Sequence, residues 1–178
     1  MNSYATVTGP DTVRLERLLP GPIERIWAYL TEPEKRAKWF CGGPMELRVG
    51  GKAELHFNHA ELSAEKTPPE KHRKHAAGHT FAVRISACEP PRVLAYTWGD
   101  ESGKDGEVTF ELTPRGKDVM LVITHRRLPN RDEMRGVSGG WHAHVDILED
   151  VLRGREPRGF WSNHTRVAAE YEKRIPPA

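Results

Sequence analysis

The apolar residues of this chain recur with two periods, and the switch between them lays out the elements. Val13 and Leu15 alternate with Arg14 and Glu16, a short strand stopped by Pro20-Gly21-Pro22. Ile23, Ile26, Trp27 and Leu30 then recur at i, i+3, i+4 and i+7, which predicts an amphipathic helix with Pro22 near its first turn. Pro33 opens a second short helical stretch carrying Trp39 and Phe40, and Gly42-Gly43-Pro44 breaks it. From there the period is two. Met45, Leu47 and Val49 predict a second strand, Gly50-Gly51 a hairpin-type turn, and Ala53, Leu55, Phe57 and His59 the apolar face of a third. Residues 60–78 are polar, contain Pro68-Pro69, and read as an exposed loop. The fourth strand presents His79, Phe81, Val83 and Ile85. The fifth presents Leu94, Tyr96 and Trp98, the sixth Val108, Phe110 and Leu112, and the seventh Leu121, Ile123 and His125.

The last third returns to the helical period. Trp141, Val145, Leu148 and Leu152 stand at i, i+4, i+7 and i+11, with His144 and Val151 widening the stripe, and Gly154 reads as a C′ residue. Gly139-Gly140 would let this helix approach the sheet closely or bend. After Pro157, the residues Phe160, His164, Val167 and Tyr171 mark a tail helix. The order is one strand, two short helices, six strands, one long helix and a tail helix. This is an α+β chain whose short connections favour an antiparallel meander, with the long helix covering its apolar face.

At 178 residues the chain fits one domain, placed at 11–175 after an N-terminal arm of 1–10. With 37% hydrophobic and 29% charged residues it is neither collagen-like, nor a disulfide scaffold, nor wholly disordered. No apolar run approaches the roughly 20 residues of a membrane helix, and the first residues lack the apolar core of a secretory signal. Two cysteines, Cys41 and Cys88, are too few for a disulfide framework, so a reducing cytoplasm is expected. With 27 basic against 25 acidic residues, neither a nucleic acid nor a membrane is the expected partner.

Several segments carry a family resemblance. They are Pro22-Ile23-Glu24-Arg25-Ile26-Trp27, Lys38-Trp39-Phe40 before the Gly-Gly pair, Val108-Thr109-Phe110-Glu111-Leu112-Thr113-Pro114, Thr124-His125 and Gly139-Gly140-Trp141-His142. In this order and spacing they resemble the START/Bet v 1-like (SRPBCC) superfamily with its helix-grip fold. The branch they resemble within it is the one labelled activator of heat-shock protein 90 ATPase homologue-like. The resemblance spans about residues 11–175. It implies a curved sheet wrapped around the long helix with a cavity between them, binding small, largely apolar molecules. Some members cyclise polyketides and others serve as accessory domains. The second domain of the chaperone activator, the one implicated in chaperone stimulation, has no counterpart in this chain, so a co-chaperone role does not follow.

Strand parity locates a candidate site independently of the family. In a meander the third, fifth and seventh strands end on one rim, where the fourth begins. His59, His79, Trp98 and His125 therefore meet there, joined by Trp141 and His144 from the long helix, with Trp39 and Phe40 placed to close the opening. The expected ligand-binding set is these eight with Trp27, Phe57, Phe81, Tyr96, Phe110, Val145 and Leu148. Imidazoles at an apolar mouth would orient the polar end of a ligand. The same residue types also serve plain packing and strand-end hydrogen bonds. No metal or cofactor is expected: the histidines are not locally spaced as a chelate, and His72-x2-His75-x3-His79 reads as a solvated loop. Cys41 before Gly42-Gly43 lacks an evident base, so no catalytic residue is assigned. The expectation is a ligand-binding protein. A protein-interaction module and a cyclase- or hydrolase-type enzyme using the mouth histidines are the alternatives. The apolar stripe of the tail helix must be covered by the outer side of the sheet or by a second copy, most simply in a homodimer.

Overall fold

The structure, a computed structural model, describes residues 4–75 and 78–177, the side chains of 73–75 excepted. The strands are β1 (Thr6–Gly9), β2 (Thr12–Pro20), β3 (Lys52–Phe57), β4 (His79–Glu89), β5 (Val93–Thr97), β6 (Glu107–Arg115) and β7 (Asp118–Arg126). The helices are α1 (Ile23–Thr31), α2 (Pro33–Arg36), α3 (Arg131–Leu152) and α4 (Phe160–Arg174), with short 3-10 turns at His59–Glu61 and Glu70–His75. The strands form one antiparallel sheet in the order β1-β2-β7-β6-β5-β4-β3, curved around α3 in the helix-grip α+β arrangement. Alternation along each strand sorts the side chains. Val13, Leu15 and Leu19, Val83 and Ile85, Val108, Phe110 and Leu112, and Val119, Leu121 and Ile123 are all buried against the helix side. Each such burial is worth about 1.5–3 kcal/mol.

Three elements differ from the pattern-based expectation. Residues 45–49 are not a strand. Only Met45 bridges to Ala53, while Leu47 and Val49 are 44% and 65% exposed. Alternation there finds no second face to bury, because β3 is the sheet edge. The seventh strand is instead β1, inside the expected arm, where Thr6 and Val7 pair with Arg14 and Val13. α3 begins ten residues before Trp141, at Arg131, because Asn130 caps it: its side-chain oxygen accepts from the Glu133 N–H at 2.9 Å.

The polar segment 60–78 is anchored at several points. Leu62, Ser63 and Pro68 are buried. Ser63 Oγ accepts from the Phe160 N–H at 3.0 Å, and Glu65 Oε1 accepts from the Ser162 N–H at 2.8 Å. These bonds hold the first turn of α4, whose own N-cap makes no side-chain hydrogen bond.

α4 packs on α3 in the same chain, neither outside the sheet nor against a second copy. Phe160, Trp161, Val167 and Tyr171 are buried, and a Cβ at Gly139 would lie 3.8 Å from Ala168 Cα, an ordinary van der Waals contact between the two helices. The stripe that suggested a homodimer is thus already covered. Behind it, Arg17 of β2 reaches Asp146 of α3 at 2.7 Å, and Asn163 of α4 donates to the same carboxylate at 2.8 Å. The Arg153, Arg155 and Arg158 cluster meets acids of α3 itself: Arg158 Nε lies 2.8 Å from Asp150 and Arg153 lies 3.3 Å from Glu149.

Candidate functional site

The rim foreseen from parity exists. Trp98 at the end of β5 lies 5.3 Å from the His125 ring and 5.4 Å from the Trp141 ring. His59 lies 5.4 Å from His144, and Phe57 stacks 4.7 Å from His79. Phe40 sits in the middle, with its ring 4.9 Å from Trp141, 5.1 Å from Phe57 and 5.2 Å from His144. Between these rings and the first turns of α3 is an apolar cavity of about 210 Å³. It is lined by Phe40, Phe57 and Trp98 and, from α3, by Asp132, Glu133, Gly136, Val137, Gly140, Trp141 and His144. A second space of about 140 Å³ adjoins it through Gly140 and His144, and is ringed by His59, His72, His79, Phe160, Trp161 and His164.

The remaining candidates lie behind this opening. Trp39, Tyr96, Phe110, Val145 and Leu148 are at most 1% exposed and fill the core between sheet and helix, Trp27 packs against that core, and Phe81 touches Trp98 at 5.3 Å. The space is therefore at one end of the sheet–helix interface, and the interior beyond it is filled. Trp39 acts through its backbone: its carbonyl accepts from His144 Nδ1 at 2.8 Å, while its own indole N–H donates to the Tyr29 carbonyl at 2.7 Å. His125 is fully buried one layer back, not at the opening. Its Nδ1 accepts from Trp141 Nε1–H at 3.0 Å, which fixes the Trp141 ring and places the imidazole proton on Nε2.

The cavity-facing positions of α3 from 132 to 140 were not anticipated. The signal was present: the helical period runs back from Trp141 through Val137 and Glu133, and Asn130-x-x-Glu133 has the spacing of a capping box. His164 and Trp161 reach the site because α4 packs on α3, a placement that neither the outer side of the sheet nor a second copy provides.

Burial sets the charge of the site. Desolvation pulls His125 down to about 4 and His144 down to about 3, the latter aided by nearby His59. His164 is likewise lowered to about 4 by burial, then by His72. These three imidazoles are neutral at pH 7. Burial pushes the Cys41 thiol up to about 12 against the opposing pull of Arg36, so it offers no thiolate. Among the described residues no group of three or more His, Cys, Asp or Glu is disposed to hold a metal ion, and no helix is long and apolar enough to cross a membrane. The side chain of His75, part of the His72-x2-His75-x3-His79 run, lies outside the described residues.

Comparison with known proteins agrees with the architecture. A Bordetella parapertussis protein solved by solution NMR is 42% identical, with a TM-score of 0.80 over 98% of this chain and 93% of that one. The crystal structure of CalU16 from Micromonospora echinospora is 21% identical, with a TM-score of 0.69 over 93% of this chain and 88% of that one. DynU16, a protein in the dynemicin biosynthetic locus, is 21% identical, with a TM-score of 0.62 over 85% of this chain and 51% of its own. The last two share the fold alone. Among curated proteins none matches. The family model for activator of Hsp90 ATPase homolog 1-like proteins matches residues 20–153, well over half of the sequence, and the chain belongs to that family, a branch of the SRPBCC superfamily.

Proposed function

We propose that this protein binds a small, largely apolar ligand in the aromatic cleft between Phe40, Trp98, Trp141 and the first half of α3. The observation that carries this reading is a pair of glycines. Gly136 and Gly140 stand one turn apart inside α3, both line the cleft, and a Cβ at either would meet no atom within 4 Å beyond its own stretch of helix. A mid-helix glycine costs about 0.5–1 kcal/mol relative to alanine. Neither residue is needed for close packing. Two such costs at one cavity are accounted for if the space itself is used. The cleft is apolar with a few polar groups, as small-molecule sites are.

An acid–base enzyme is the weaker reading. Efficient general acids and bases have proton affinities near the working pH, whereas His125, His144 and His164 are held at about 3 to 4. The interaction-module reading lacks a surface to carry it: the large hydrophobics exposed among the described residues are Leu47 and Val49.

The glycines supply the test. Gly140→Ala should raise stability by about 0.5–1 kcal/mol, measured by urea unfolding, since the new methyl enters open space. Gly140→Leu should stay folded by circular dichroism but lose binding of N-phenyl-1-naphthylamine, a neutral apolar fluorophore that the wild type takes up. Equal uptake by wild type and Gly140→Leu, or none by wild type, would refute the assignment.

A further inference from the structure

We infer that the ligand of this cleft carries a hydrogen-bond donor, a phenol or alcohol hydroxyl, which it gives to Nε2 of His144, and that carboxylates are excluded. This deepens the binding reading above and rests on it. His144 is 5% exposed and lines both adjoining spaces. Its Nδ1 faces the Trp39 carbonyl at 2.8 Å, and a carbonyl can only accept, so the ring proton is on Nδ1. Nε2 is then a bare lone pair. It receives no hydrogen bond from any described residue, and it is not among the side-chain atoms sealed off by packing, so it is open to the cavity space. The burial that keeps the ring neutral keeps Nε2 an acceptor across the physiological range.

Of the other polar groups of the cleft, the carboxylates share this character and the Trp141 indole is committed, while the Trp98 N–H is a donor whose contribution an acceptor-only probe separates. The Trp141 indole N–H is spent on His125. The two charged side chains that line it, Asp132 and Glu133, are exposed carboxylates in the first turn of α3. Asp132 is solvent-exposed and paired with Arg135, so the penalty falls mainly at His144: a ligand carboxylate would meet its lone pair and would lose its own hydration in doing so. A neutral hydroxyl instead supplies the one partner that Nε2 lacks. The aromatic walls hold the ligand body and His144 selects its functional group, which makes His144 a specificity-determining residue.

Four probes of one size separate the possibilities: naphthalene, 2-naphthol, 2-methoxynaphthalene and 2-naphthoate, titrated against tryptophan fluorescence at pH 7.5. We expect 2-naphthol to bind about five- to tenfold more tightly than naphthalene, the range of one net hydrogen bond. Methoxynaphthalene, which has the oxygen but no donor, should gain nothing, and naphthoate should bind weakest. In His144→Leu the preference for naphthol over naphthalene should vanish, with circular dichroism reporting that the variant is folded. A mutation-free readout is the 15N resonance of His144 Nε2 in the wild type, which should move upfield with naphthol and stay with naphthalene. If no probe binds, the binding reading itself fails. If all four bind alike, or methoxynaphthalene matches naphthol so that a protein donor such as the Trp98 N–H is recognising oxygen, the His144 assignment is overturned while the cleft stands.

Discussion

Arg36→Ala should lower the stability of this protein by about 3–5 kcal/mol, more than the loss of most single core side chains. The guanidinium is 0% exposed and has no carboxylate within ion-pair distance among the described residues. Its charge is held by backbone. Nε donates to the Cys41 carbonyl at 2.9 Å, Nη2 to the carbonyls of Gly42 and Gly43 at 2.9 and 2.6 Å, and Nη1 to that of Thr31 at 3.4 Å. These carbonyls face inward where the chain turns from α2 to β3; that of Gly42 also accepts from the His56 N–H at 3.0 Å, while those of Cys41 and Gly43 depend on the guanidinium. Removing the fork strands several buried acceptors at about 1–3 kcal/mol each, with partial relief if water enters the vacated space. Arg36→Met keeps most of the stem volume and none of the donors, so it should recover less than half the loss. The same turn carries Trp39, whose carbonyl orients His144, and Phe40, the central ring of the cleft, so ligand uptake should weaken in parallel. Urea midpoints of the two variants provide the measurement. A loss below about 1 kcal/mol would show that the turn holds itself without the arginine.

Arg36 also shows where sequence reasoning stops. A lone arginine in a Pro-started helical turn carries no pattern that distinguishes it from a solvated charge, and its partners are backbone carbonyls, which every residue has. Arg17 is similar: it sits at an inward phase of β2, but only the position of Asp146 on α3 explains a charge there. What was legible obeys local rules. Strand alternation and antiparallel parity are enough to send His59, His79, Trp98 and His125 to one end of the sheet, because neither depends on distant residues. The same alternation misled at 45–49, where the pattern is present but no neighbouring strand or core rewards it. The helical period placed the second half of α3, and its three glycines concealed the first half. Glycine normally ends a helix; here two of the three keep a space open, and that reason is visible only once the opposing aromatic wall is in place.

Stability should fall by several kcal/mol as the pH drops from 7 to 4, because the protein buries imidazoles as neutral bases. His125 and His144 go from the ordinary 6.5 to about 4 and about 3 in the folded state, in both cases chiefly by desolvation. Between those values and 6.5 the unfolded chain binds the protons and the folded one does not, so each fall in pH favours unfolding. The contribution is fully present above pH 6.5 and is lost progressively below it. At pH 4 it amounts to about 3 kcal/mol for each of the two, at about 1.4 kcal/mol per tenfold change in proton affinity. His164, and His142 despite the opposing charge of Asp146, are also lowered by burial and act in the same direction. Lower still, the carboxyls of Asp150, held down by Arg158, and Glu65, held down by Ser162, lose their partners on protonation and add to the decline. Against a typical total of about 5–15 kcal/mol, this brings acid unfolding into the range of pH 4 to 5. Urea unfolding at pH 7.5, 6, 5 and 4 should give a plateau, then a steep descent with uptake of two or more protons. His144→Leu should shed about one of those protons and shift the descent to lower pH. A free energy of unfolding at pH 5 equal to that at 7.5 would mean that these rings open to solvent and charge in place, and with it the argument that His144 offers a permanent acceptor to the cleft would fall.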